Sequence, residues 1–152
     1  MKNLVLLIFL FFTGMMQSQN LKEYRALLKT GENSEKSAKQ LIEKSTTAYG
    51  ETREPLYAGF LAVGNFFMAK HVFNPLKKMS YFNTGKETME SAVKKDPKNL
   101  EIRLMRLITQ ENVPKFLGYS QHIKEDRKFL TQQYLTTADE DLKIYIKDYL
   151  KL

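Results

Sequence analysis

The sequence predicts an all-α domain, a bundle of antiparallel helix pairs with about six or seven helices behind a secretory leader. Three observations predict it. Apolar residues recur at three- and four-residue spacing along nearly all of residues 21–150, the period of a helix face. No stretch alternates apolar and polar residues for long enough to make a half-buried strand. Helix-breaking residues stand between the periodic runs, at Gly31, Gly50, Asn74-Pro75, Asp96-Pro97 and Pro114, where helices begin and end.

The first 18 residues read as a cleavable signal peptide. Lys2 supplies the basic start, Leu4 to Phe12 is wholly apolar, and Gln17-Ser18-Gln19-Asn20 is a polar exit. The uncharged run from Leu4 to Met16 is too short to cross a hydrocarbon core of about 30 Å untilted. Cleavage is expected after Ser18, leaving residues 19–152 as a single helical domain with no stable membrane span. The expected address is periplasmic or secreted.

Leu21, Tyr24, Leu27 and Leu28 form a first helix ending near Gly31, a residue suited to a left-handed C-cap. Asn33 or Ser34 caps a second helix running to about Tyr49, with Gly50 as its stop. Pro55 opens a third, to about Val72. Its Leu56, Tyr57, Phe60, Leu61, Val63, Phe66, Phe67 and Met68 are interleaved with Ala58, Gly59, Ala62, Gly64 and Ala69. Small residues let neighbouring backbones approach closely, which places this helix at the centre of the bundle. Asn74-Pro75 restarts the chain into a fourth helix to about Lys95, and Lys98 or Asn99 begins a fifth that Pro114 ends. A loop over 113–120 precedes two further helices, about Ile123–Tyr134 and Ala138–Leu150.

In the fourth helix Gly85, Met89 and Ala92, followed by Pro97, resemble the second helix of a tetratricopeptide repeat and its closing proline. The preceding helix departs from that pattern, with Ala69, Val72-Phe73 and Leu76 where the repeat has Trp, Leu-Gly and Tyr. The likeness is to one degenerate unit and implies stacked antiparallel pairs. The runs Asp96 to Leu107, Pro114 to Tyr119 and Ile123 to Asp126 resemble small uncharacterised exported proteins of Bacteroidetes-type bacteria. That resemblance covers about residues 49–130 and implies a diderm envelope but no activity.

Removing the leader's Lys2 lowers the formal net charge from +7 to +6, which favours acidic partners. The excess is scattered, with no recognition helix, so nucleic acid is not expected. No cysteine is present, so a disulfide scaffold, a thiolate metal site, a Cys nucleophile and a lipidated N-terminal Cys are excluded. No phosphate loop, nucleophile elbow or dinucleotide fingerprint occurs. No cofactor or metal is expected, although His122, Glu125 and Asp126 share a helix face.

The candidate interaction surface is Arg103, Arg106 and Gln110, one polar stripe at i, i+3 and i+7, together with Phe116, Tyr119 and His122. The guanidinium forks could grip a carboxylate or phosphate of a partner. Alternatively they pair internally with Glu101, Glu111 or an acidic residue of the next helix. Arg106→Ala separates the two, since a surface stripe would lose binding but little thermal stability. Phe116 and Tyr119 either form a contact site or fold back to plug the bundle. Asn65 and Asn83, if buried, need partners. The expected function is a non-enzymatic helical module of the bacterial envelope that binds a protein or peptide. The other reading is a carrier or sensor of a small apolar ligand, held between the Phe-rich third helix and the aromatic loop.

Overall fold

A computed structural model describes residues 21–152, and the expected signal peptide lies outside the described residues. Among these residues there are seven α-helices and no strand, so the all-α class holds. Helix α1 covers residues 21–31, α2 Glu35–Thr52, α3 Pro55–His71, α4 Pro75–Lys95, α5 Leu100–Asn112, α6 Ile123–Gln133 and α7 Glu140–Leu150. Short 3-10 turns occupy Lys115–Leu117 and Tyr134–Thr136.

The helix starts follow local chemistry. A helix leaves its first N–H groups without intrahelical acceptors, and side-chain oxygens supply them. Ser34 Oγ accepts from Ser37 N–H at 3.2 Å, and Asn74 Oδ1 from Lys77 N–H at 3.0 Å. Asn99 Oδ1 accepts from Glu101 and Ile102, both at 3.1 Å, and Asp139 Oδ1 from Leu142 at 3.0 Å. Pro55 and Pro75 occupy first-turn positions where a missing N–H costs nothing.

Two expected stops differ. Helix α2 runs through Gly50 to Thr52, and Arg53 takes the left-handed cap at φ 60, its N–H bonding to Tyr49 O. The stop is imposed by Pro55 downstream rather than by the glycine. Gly31 is not left-handed either, since Gly118 is the glycine with positive φ among the described residues. Gly31 instead makes room, because a Cβ there would lie 2.6 Å from the Phe67 ring.

Successive helices are antiparallel. Gly64 of α3 faces Ala38 and Ile42 of α2, while His71 reaches back to Gly31 O at 2.9 Å. Phe66 meets Phe82, and Gly85 faces Ala62, so α3 and α4 run in opposite directions. Gly59 meets Ile102 and Met105, and Phe66 further along α3 meets Tyr119 beyond the end of α5, so α5 runs parallel to α3. Arg106 reaches Asp126 of α6, Gln110 reaches His122, and Tyr149 of α7 reaches Glu111. The 32–34 and 72–74 turns therefore share one end of the bundle, while the 113–122 loop packs short of it, with Tyr119 against Phe66, Phe82 and Glu90.

Two apolar clusters form. The first gathers α1–α4 with Ile102, Met105 and Tyr119, and Tyr24 stacks on Phe60 at 5.0 Å. The second joins Leu100, Leu104 and Leu107 to Leu130, Leu142, Ile146 and Leu150. Helix α5 belongs to both, and all of it but Ile108, Glu111 and Asn112 is buried. It is as enclosed as α3.

Candidate functional site

Helix α5 has three faces rather than two. Ile102 and Met105 point to the first cluster and Leu100, Leu104 and Leu107 to the second. At 100° per residue, Arg103, Arg106 and Gln110 fall between them. The polar stripe is consequently internal: Arg103, Arg106 and Gln110 are all buried. A guanidinium taken out of water needs carboxylates around it, and α4 and α6 provide them.

Asp126, fully buried in α6, receives Arg106 in bidentate fashion, Nε to Oδ2 at 2.7 Å and Nη2 to Oδ1 at 2.8 Å. Arg106 Nη1 donates to Glu90 Oε2 at 2.9 Å. Arg103 Nε also lies against Asp126 Oδ1, its Nη2 donates to Glu125 Oε1 at 2.8 Å, and its guanidinium carbon lies 4.6 Å from the centre of the Phe129 ring. Two arginines thus share three carboxylates drawn from α4 and α6. Burial pulls the Arg106 pKa down, but the Asp126 hydrogen bonds and the Glu90 charge raise it by more, and the net shift is upward. Glu125 is held below the usual carboxylate range, first by its hydrogen bond with His122 and then by Arg103 and Arg106. Both guanidinium groups are paired with this chain's own acids, while the buried Gln110 Nε2 has no hydrogen-bond partner among the described residues.

The loop residues divide. Tyr119 is buried, stacks 5.8 Å from Phe66 and edge-on to Phe82 at 6.3 Å, and its hydroxyl donates to Glu90 Oε1 at 2.7 Å. Burial, then Glu90, pushes its phenol pKa up. It fills the space between α3 and the loop where an apolar ligand would have to sit. Gln110 Oε1 accepts the His122 N–H at 2.9 Å and so fixes the start of α6, while His122 Nδ1 lies 3.0 Å from Glu125 Oε2. Phe116 alone of this loop's aromatics is exposed, at 86%. Asn65 satisfies its amide on Leu61 O at 2.9 Å, and Asn83 is exposed. Among the described residues no cluster of His, Asp and Glu is disposed to hold a metal ion.

What faces solvent with binding potential is the α3–α4 tip. Phe73 is 99% exposed, Leu76 82% and Met79 44%. Every residue from Phe73, in the turn after α3, to Ser80 is exposed. Leu76 and Met79 lie on one stripe of α4 at i and i+3, and Lys70, Lys77 and Lys78 surround them in sequence. No Asp or Glu occurs between Glu54 and Glu87. The loop bearing Phe116 is not part of this tip, since Tyr119 anchors it against Phe66, Phe82 and Glu90, further along α3 and α4. Sequence reasoning missed Phe73, Leu76 and Met79, whose apolar character reads as core, and it missed Glu90. The acid-free interval was the available signal for the tip.

No protein-family model, curated protein or solved structure matches this chain.

Proposed function

We propose that the chain is a non-enzymatic contact module of the cell envelope, exported to the periplasm or beyond, whose working surface is the end of the bundle carrying Phe73, Leu76 and Met79. The single observation behind this reading is the tip: three neighbouring large apolar side chains exposed together and flanked by lysines. Monomeric proteins seldom leave such residues clustered in water, and clusters of this kind serve as contact surfaces. The partner presents anionic groups around an apolar layer. Arg103 and Arg106 contribute by holding α4, α5 and α6 in register. Export rests on the apolar run Leu4–Phe12 behind Lys2.

Fractionation of producing cells tests both parts. The wild-type chain should be recovered outside the cytoplasm and retained with the envelope fraction. Phe73→Ser with Leu76→Ser should be exported and melt like wild type yet be released. Recovery in the cytoplasm overturns export, and unchanged retention of the variant overturns the surface.

A further inference from the structure

The tip has a shape and a charge pattern that select one kind of partner. Its apolar side chains project from a helix–turn–helix end rather than line a groove, with residues 73–80 exposed throughout. Its backbone is preformed: Asn74 Oδ1 accepts from Lys77 N–H at 3.0 Å, Lys78 N–H bonds to Asn74 O at 2.9 Å, and Val72 N–H bonds to Met68 O at 3.1 Å. Phe73 is therefore presented by a short rigid turn between two helix ends.

The cations around it are available. Neither Lys77 nor Lys78 forms an ion pair with a described residue, whereas Lys70 is paired with Glu32 at 2.5 Å. Glu32 of the adjoining turn and Glu35 at the start of α2 are already paired with Lys70 and Lys39.

We propose that this end of the bundle is a peripheral membrane anchor for an anionic phospholipid bilayer, with Phe73 and Leu76 entering the boundary between headgroups and acyl chains while Lys77 and Lys78 meet the headgroup phosphates. The proposal rests on the tip being the working surface. A convex wedge needs a partner that yields around it, and a bilayer does so where a protein surface would need a preformed cleft. Lysines lay their alkyl stems along an apolar layer and keep their ammonium groups among the phosphates, and each adds attraction to an anionic leaflet. No helix among the described residues is long and apolar enough to cross a membrane, so this contact is made from one side.

The absence of tryptophan from the sequence makes Phe73→Trp a single-site reporter in the full chain. With phosphatidylcholine vesicles containing about one third phosphatidylglycerol, its emission should move to the blue and be quenched by bromine on the acyl chains. With phosphatidylcholine alone it should do neither. In co-sedimentation, Phe73→Asp with Leu76→Asp should lower the bound fraction about ten-fold or more. Lys77→Glu with Lys78→Glu should abolish the preference for phosphatidylglycerol, and added salt should weaken wild-type binding. All four side chains are exposed, so circular-dichroism melting should match wild type. Any contribution of residues 1–20 is common to every variant. Unchanged Trp emission, or anionic-vesicle binding that survives the paired Asp substitutions, overturns the anchor. If vesicles fail while the Phe73→Ser, Leu76→Ser chain is still released from the envelope fraction, the lipid assignment falls and the tip stands as a protein-docking surface. If neither assay responds to the tip, both readings fall.

Discussion

Arg106 carries a full positive charge inside the protein, and its carboxylate partners make that tolerable. Its two bonds to Asp126 and one to Glu90 leave no face of the guanidinium fork unused. Removing one member of such a buried pair strands the other, at about 3–5 kcal/mol, whereas replacing both with apolar groups of similar volume is often neutral. Arg106→Ala should therefore be strongly destabilising, the opposite of what a surface docking stripe requires. Asp126→Ala should cost at least as much, because it abandons Arg103 as well. Arg106→Met with Asp126→Leu should cost less than the sum of the two single losses, although Arg103 still loses Asp126. Urea unfolding of Arg106→Met, Asp126→Leu and their double measures the coupling, and simple addition of the single costs would show that the pair is not the unit described.

At the scale of the element, glycines separate two jobs that composition alone does not. Gly50 sits inside α2, and a methyl group added there would meet nothing within 4 Å, so Gly50→Ala should stabilise by about 0.5–1 kcal/mol through helix propensity and a less flexible unfolded chain. At Gly85 a Cβ would stand 3.0 Å from Ala62 O and 3.2 Å from the Phe66 ring. Gly85→Leu should push α4 away from α3 and cost more than about 2 kcal/mol, as overpacked core sites do. Equal effects at the two sites in denaturant titrations would contradict the close approach. The helix starts were legible in the sequence because capping is local: Ser34, Asn74 and Asn99 bond to N–H groups two or three residues ahead. The partners of Arg106 lie 16 and 20 residues away and depend on how α4 and α6 wrap α5, for which no local signal exists. The tip was hidden for a different reason. An exposed Leu76 carries the same apolar signature as a buried Leu104, and packing alone tells them apart.

Across the whole molecule, the two apolar clusters are tied at the end opposite the tip by Arg25 of α1. Its guanidinium donates to both Glu101 oxygens, at 2.7 and 2.8 Å, and to Asp139 Oδ2 at 2.7 Å, joining α1 to the starts of α5 and α7. Burial would raise the Asp139 pKa, but Arg25 and the Leu142 N–H together bring it below its ordinary 3.8. A carboxylate depressed in the native state stabilises the fold above its ordinary pKa and ceases to do so as pH falls through the native value. Protonating Asp139 weakens both the cap of α7 and its tie to α1. Amide hydrogen exchange followed downward from pH 5 should accordingly show α7 losing protection below about pH 4, while α3 and α4, held by apolar packing, remain protected. Asp139→Asn keeps a capping oxygen but not the charge, so it should loosen α7 at neutral pH and flatten the acid dependence. Loss of protection in α3, α4 and α7 together at every pH, with Asp139→Asn behaving like wild type, would show that Arg25 is not what couples the two halves.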